Sequence, residues 1–326
     1  MPFAEEDGGF GGGLVDCTLL LEQFGKGLVV EPYLATVILA GGAIKLAGGP
    51  AQRAAYLPSV ADGTKQGALA FAEAQSRFNL ADVATTAEPA GDGYVLNGAK
   101  AVVLNGPNAD FFVVSARTSG ARKDPSGVSL FVMDADTEGL STRDYPTVDG
   151  FRASEVTLND ARLPAEALLG EAGAGLPMLE RVIDEGIVAV GAEAVGCMEV
   201  LYKDTIEYCK TREQFGQPIG KFQVLQHRLV DMFMEHEQSK SLMYMAAMQM
   251  DAGYDGEARK AASAMKVQIG KSGKFVGQTA VQLHGGMGMT DELNIGHSFK
   301  RLTVIDTLFG NVDHHLGRFT DLQRQG

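Results

Sequence analysis

The sequence has no tryptophan, only three cysteines, and far fewer basic than acidic side chains. Each shortage excludes something. Cys17, Cys197 and Cys209 form no CxxC pair and no metal-ligand cluster. A disulfide scaffold and a zinc module are therefore excluded, and free buried thiols in a reducing compartment are expected. Lys and Arg total 28 against 41 Asp and Glu, a formal net charge of -13. A surface that acidic repels nucleic acid and anionic membrane. No apolar run reaches the ~18 residues that a membrane span requires. The start, MPFAEEDGGFGGG, is acidic and glycine-rich, the opposite of a secretory or transit signal, so the expected location is the cytoplasm.

Common catalytic signatures are also missing. Residues 8–13 (GGFGGG) fit neither a P-loop nor a GxGxxG that follows a strand and opens a helix, and they read as a turn. There is no GxSxG. His314-His315 is an adjacent pair, and neighbours on a helix point about 100° apart, which disfavours a shared ion. His227, His236, His284 and His297 show no HxxxH spacing, so no metal site is expected.

What is present is a 326-residue chain, 45% hydrophobic, long enough for two or three domains. Residues 14–62 read as helical, interrupted at Gly48-Gly49-Pro50. From about residue 67 the texture becomes short β-rich runs with Gly, Asn, Asp and Pro between them, the pattern of a small antiparallel barrel or sandwich. Asn97-Gly98 lies between two such runs and reads as a hairpin turn. From about residue 174 the period is helical again. One long helix is expected to end at KTR, a second spans 222–250, and a third spans 256–284. Gly186, Gly191 and Gly196 in the first of these read as sites of tight helix packing. The expected class is α+β, with a helical segment 1–66, a β-domain 67–171 and a helical bundle 172–326.

Two segments carry chemistry. In TREQFGQPIGKFQVLQHRLVDM, residues 211–232, Arg212 and Phe215 stand at the end of one helix and Gln223 opens the next. Arg offers a planar fork for phosphate oxygens, and Phe can stack on a flat ring. In QLHGGMGMT, residues 282–290, three glycines let a ligand or another backbone approach closely. Taken singly, the first could be a helical corner with a solvated Arg and the second a tight interhelical turn.

Taken together, RxQFGxPI followed downstream by QxxGGxG resembles the acyl-CoA dehydrogenase family. YVLNGAKAVVLNGPNADFFVVSART looks like that family's middle domain, and VTLNDARLPAEALLGE like its exit into the last bundle. The resemblance covers essentially the whole chain. AEAQSRF, YPTVDGFR, LQHRLVDMF and FKRLTVIDTLFGNVDHH are further similar to small subunits of heteromeric members, of the pimeloyl-CoA dehydrogenase type. It implies an N-terminal helical domain, here reading as truncated, a middle antiparallel β-domain and a C-terminal four-helix bundle. It also implies FAD, an acyl-CoA substrate, an electron-transferring flavoprotein as acceptor, and a homo- or hetero-oligomer. In the family a carboxylate removes the α-proton while hydride leaves the β-carbon for the flavin. Carried over, Arg212, Phe215, Gln223, Gln282, Gly285 and Gly286 would clasp the ADP half of an FAD held mainly by a neighbouring subunit, with Phe71 and Ser76 as further cofactor contacts.

The departures from the family fall on the chemistry. The family's Tyr-Glu-Gly-Thr stretch reads Leu308-Phe309-Gly310-Asn311, which puts Phe309 at the position of the catalytic Glu. Some members carry the Glu on the first bundle helix instead, where this chain has Gly186, followed by Ile187 in place of an Arg. Asp184 and Glu185 are the nearby carboxylates, and a one-residue shift of the match brings Glu185 into place. The flavin-ring stretches read Ala72-Glu73-Ala74 and Val102-Val103-Leu104, without the family's Thr, Trp and second Thr. Two readings stand side by side: an active dehydrogenase with a displaced base, or a non-catalytic subunit that completes a partner's FAD site.

Overall fold

The structure is a computed structural model describing residues 2–325. In chain order, α1 (Leu14–Gly27) is followed by wide π-helical turns at Leu34–Gly41 that run into α2 (Gly42–Ala47), and then by α3 (Pro50–Ala61). Eight strands come next: β1 (Gly67–Ala70), β2 (Thr86–Ala90), β3 (Gly93–Leu104), β4 (Phe111–Arg117), β5 (Val128–Asp134), β6 (Leu140–Pro146), β7 (Arg152–Pro164) and β8 (Leu168–Leu169). The remainder is helical: α4 (Leu176–Thr211), a small hairpin of β9 (Glu213–Gln214) and β10 (Gln217–Pro218), then α5 (Gln223–Ala252), α6 (Gly256–His284), α7 (Asn294–Thr307) and α8 (Val312–Gln325). Contacts divide the chain into two units. One holds the chain up to Gly12 with Glu31–Gly186, and the other holds Gly13–Val30 with the chain from Ile187 on.

In the first unit the strands form one sheet in the order β6-β7-β3-β2-β4-β5-β8, with β1 beside β4. The sheet is antiparallel except where β1 and the first residue of β2, Thr86, run parallel to β4. FFVVSAR and VSLFVMD are almost continuously apolar, and β4 and β5 are correspondingly buried along nearly their whole length. β6 carries Arg143 and Asp144 and lies exposed at one end of the strand order. Phe112, Phe131, Leu96, Val156 and Met133 form the centre of this unit's core.

The expected hairpin at Asn97-Gly98 is corrected by the structure. Both residues lie inside β3, at an irregularity in its pairing with β7. The turn lies before β3, at Gly91-Asp92, where Ala90 pairs with Gly93 and Gly91 has φ 63°. Asn97 instead bonds across to β7. Its amide donates to the Asp160 carboxylate at 3.0 Å, and its carbonyl accepts the Asp160 N–H at 2.8 Å.

The second unit contains α1, α4 from Ile187 on, α5 and α6, with the two shorter helices α7 and α8 packed along α6. The glycines of α4 are packing positions. A Cβ on Gly196 would stand 2.0 Å from the Glu22 carbonyl oxygen, and one on Gly25 of α1 would stand 1.9 Å from the Glu193 carbonyl oxygen. The two helices cross with their backbones in contact, which only glycine allows. Asp251 of α5 accepts the Leu14 and Val15 N–H groups at 2.7 and 2.9 Å, supplying the cap that Gly13 cannot. Arg301 of α7 donates through Nε and Nη2 to both carboxylate oxygens of Glu193, at 2.6 and 2.7 Å, in a buried two-bond pair. Among the described residues, Cys17, Cys197 and Cys209 form no disulfide, and all three are buried. Among the described residues, no helix is long and apolar enough to cross a membrane.

Candidate functional site

The end of α4 is built to present a side chain. The Arg212 N–H closes the helix on the Tyr208 carbonyl at 2.8 Å, and the Arg212 carbonyl accepts the Ile219 N–H at 2.8 Å. Between them β9 and β10 form a two-residue hairpin whose turn is Phe215-Gly216, with φ 54° and 77°. A turn with two positive φ angles is normally Asn-Gly, and an ordinary L-residue there costs about 1–2 kcal/mol. Phe215 takes that conformation and is 91% exposed, with the Phe222 ring edge-on at 6.2 Å. Arg212 beside it is exposed and makes no ion pair among the described residues. Gln223 opens α5, also exposed. Such strain persists only where the surrounding structure over-determines it.

The second motif lies beside the first. Tyr208, one turn before Arg212, stacks on His284 at the end of α6, with centroids 4.3 Å apart and an interplanar angle of 28°. His284 is anchored by its Nδ1–H, which donates to the Ala280 carbonyl at 2.9 Å. The stack joins the Arg212–Phe215 hairpin to Gln282, Gly285 and Gly286, all exposed. Gly285 caps α6 at φ 60° and ψ -138°, a glycine-only conformation, and no atom lies within 4 Å of a Cβ built on it or on Gly286. A bare backbone is thus linked through the Tyr208–His284 stack to an exposed guanidinium and an exposed ring. These groups suit phosphate oxygens and a flat heterocycle. Sequence reading found the exposed members of this group but not the Tyr208–His284 stack behind them.

At the position of the family's catalytic Glu, Phe309 has φ 59°. Three main-chain carbonyls hold its loop. Lys266 Nζ, buried in α6, donates to the Asp306 and Gly310 carbonyls at 2.9 and 2.7 Å. His315 Nε2–H donates to the Phe309 carbonyl at 3.1 Å. Burial pushes the Lys266 ammonium down to about 8, although Asp306 pulls the other way. Burial, helped by the Lys266 charge, drives His315 down to about 3, so its ring is neutral. Residue 309 is held firmly, and it carries no base. Of the two carboxylates that precede Gly186 on α4, Asp184 is 1% exposed, and Glu185 is ion-paired with Arg181 at 3.2 Å one turn earlier. Gly186 lies on the same helix. Among the described residues, no three His, Cys, Asp or Glu side chains gather to hold a metal ion.

The stretches aligned with the flavin-ring contacts lie in the first unit. Phe71 is half-buried. The Ser76 hydroxyl is turned inward, donating to the Glu73 carbonyl at 2.9 Å and accepting the Glu73 N–H at 3.1 Å. Ala72, Ala74, Val102 and Leu104 offer no side-chain donor. Under them lies a buried pair that sequence reading missed. Lys100 Nζ meets Glu73 Oε1 at 2.7 Å, with side chains 0% and 3% exposed. Burial raises the Glu73 pKa, but Lys100 and the hydrogen bonds from Thr85 and Gln75 outweigh it and hold the carboxyl down to about 2. Burial lowers Lys100 to about 8 against the pull of Glu73, which leaves both groups charged at neutral pH. A single Glu and a single Lys in apolar, β-rich runs were the available signal.

The chain thus combines a short helical segment, a β-domain and a helical part that carries the exposed Arg212–Phe215 hairpin. Family models agree along the chain: the acyl-CoA dehydrogenase N-terminal domain matches residues 1–64, the middle domain 68–161 and the C-terminal domain 173–319. The short-chain specific acyl-CoA dehydrogenase of Clostridium acetobutylicum is 32% identical over 96% of this chain and 83% of its own. The solved structure of butyryl-CoA dehydrogenase from Megasphaera elsdenii superposes with a TM-score of 0.88 at 29% identity, over 99% of this chain and 86% of that one. The structure named as the Tcur3481-Tcur3483 steroid ACAD is 31% identical, with a TM-score of 0.88 over 99% of this chain and 84% of that one. The chain belongs to the acyl-CoA dehydrogenase family, FAD-dependent oxidoreductases acting on CH–CH bonds.

Proposed function

We propose that this chain is the small subunit of a heteromeric acyl-CoA dehydrogenase, and that its main contribution is to complete the flavin site of an unlike partner chain. The observation that carries the reading is Phe215, held solvent-facing in a strained turn beside an exposed Arg212 that makes no ion pair among the described residues. In this reading Arg212 forks onto the pyrophosphate of the partner's FAD and Phe215 stacks on its ring system. Gln223, Gln282 and the bare backbone at Gly285-Gly286 line the same nucleotide half. When bound, FAD supplies the acceptor for the hydride that leaves the substrate's β-carbon.

The α-proton needs a carboxylate within hydrogen-bond reach, about 2.6–3.2 Å. Phe309 cannot supply one, so the base belongs to the partner. An acyl-CoA thioester is the substrate class and an electron-transferring flavoprotein the acceptor. Supporting names among the relatives include the CarC subunit of a caffeyl-CoA reductase-Etf complex and the steroid ACAD named for two proteins. α5 exposes Val230, Phe233, Met234 and Met248, apolar side chains suited to contact with another chain. The test is dehydrogenation of a panel of saturated acyl-CoAs by the purified chain, alone and with its partner. Turnover is expected only with the partner, and turnover by the chain alone would overturn the reading.

A further inference from the structure

The two stretches aligned with the family's flavin-ring contacts lack its Thr and Trp side chains, but their backbones are held in conformations that cost energy. Val102 has φ 53°, lies in a β3 irregularity and is 50% exposed. A β-branched residue at positive φ is an outlier, and such strain persists only where its surroundings over-determine it. Arg77, directly after Ser76, has φ 49°. The residues that over-determine both stretches can be named. The Ala101 N–H donates to the Ala72 carbonyl at 2.8 Å, tying strand to loop. Lys100, immediately before that bond, meets Glu73, immediately after it.

Glu73 is saturated. Its Oε1 also accepts the Thr85 hydroxyl at 2.7 Å and the Thr85 N–H at 3.1 Å, and its Oε2 accepts Ala84 N–H at 2.8 Å and Gln75 Nε2 at 2.6 Å. Lys100 donates its other bond to Ser115 Oγ at 3.0 Å. A buried ion pair gives little net stability compared with an apolar pair of the same volume. Its geometric effect here is specific: beside the Ala101–Ala72 bond, it ties the loop at 72–76 to the irregularity at 101–103.

We propose that Glu73 and Lys100 are positioning residues for the isoalloxazine end of an FAD in this chain's own β-domain, holding its binding frame through main-chain groups. The chain therefore keeps a flavin frame although it lacks a base. The inference rests on the family's cofactor and not on the lending of Arg212, so either idea can fail alone.

The experiment is FAD titration of the purified chain, read by fluorescence quenching and by the visible flavin spectrum, with thermal unfolding of the apo form alongside. Wild type should take up FAD. Lys100→Met should weaken it at least ten-fold and blur the resolved shoulder of the flavin band, and Lys100→Arg should recover part of both. Ser115→Ala keeps the ion pair and should stay within about three-fold of wild type. If Lys100→Met does not fold, the uncharged double variant Glu73→Gln/Lys100→Met leaves no buried charge unpaired and should show the same loss. A wild-type chain that takes up no FAD would overturn the proposal. So would a folded variant whose melting temperature falls while FAD affinity and spectrum stay unchanged.

Discussion

Phe215→Asn should make the protein more stable and a worse FAD binder. The gain comes from the turn. Phe215 sits at φ 54° ahead of Gly216 at 77°, the pattern that Asn-Gly adopts most easily. Relief of a left-handed conformation is worth about 1–2 kcal/mol for an ordinary residue and somewhat less when Asn replaces it. The loss is small, because the ring is 91% exposed and its one aromatic neighbour is edge-on at 6.2 Å. Such contacts reach about 0.5–1.5 kcal/mol when well packed, and this one is open to water. A net gain near 1 kcal/mol raises the melting temperature by about 1–2 °C in a chain this long. Removing the ring from a flavin stack of about 0.5–1.5 kcal/mol weakens FAD by roughly 3- to 10-fold. Differential scanning calorimetry and FAD titration of the assembly with its partner read the two effects separately. A lower melting temperature with unchanged FAD affinity would show that Phe215 is an ordinary packing residue and refute the reasoning.

Three further outcomes are expected. Glu185→Gln and Asp184→Asn should leave turnover of the assembly within about two-fold, whereas a ~10²-fold loss in either would make this chain the one that carries the base. His315 is held neutral, its pKa lowered from 6.5 to about 3, so stability is complete above pH 6.5 and falls as the unfolded chain gains a proton it cannot keep when folded. The loss is about 2 kcal/mol by pH 5, and denaturant unfolding of His315→Gln should show a shallower fall from pH 6.5 to 5; equal slopes would contradict it. Gly196→Ala places a methyl against the Glu22 main-chain oxygen and should cost about 1–3 kcal/mol while speeding thiol labelling of Cys197, whose Sγ donates to the Gly25 carbonyl at 3.3 Å.

The long elements were legible because their signals are local and repeated. The helical period over LPMLERVIDEGIVAV through KTR corresponds to α4, and the expected span 256–284 coincides with α6. Gly196 was readable as a packing site because small residues recur along α4 at a spacing that suits a close crossing. Asn97-Gly98 misled because a two-residue turn signal does not reveal that β3 runs straight through it, paired with the distant β7. The exposed pair proposed for the clasp, Arg212 and Phe215, stands out in the sequence by residue type and spacing. What supports the site could not. The Tyr208–His284 stack, the Lys266 and His315 bonds to the 306–310 carbonyls and the Glu73–Lys100 pair each join positions far apart in sequence. No periodicity carries such pairs. The left-handed backbone at Phe215, Val102 and Phe309 ran against residue preference, so sequence reading had no reason to expect it.

The central claim is that this chain reaches into a partner's flavin site, and Arg212→Ala tests it most directly. The Arg212 backbone bonds to Tyr208 and Ile219 remain in the mutant, so only an exposed side chain is removed and the fold should lose about 0.5 kcal/mol or less. A guanidinium–phosphate hydrogen bond is worth roughly 1.5–3 kcal/mol, or about 10- to 100-fold in affinity. The measurement is FAD titration into the assembly of unlike chains, with Arg212→Ala in this chain only and the partner's pocket read by the activity that FAD restores. The account predicts a 10- to 100-fold weaker partner-pocket FAD, with Arg212→Lys only partly restoring it because an ammonium cannot reproduce the fork. Equal FAD affinity in mutant and wild-type assemblies would contradict it.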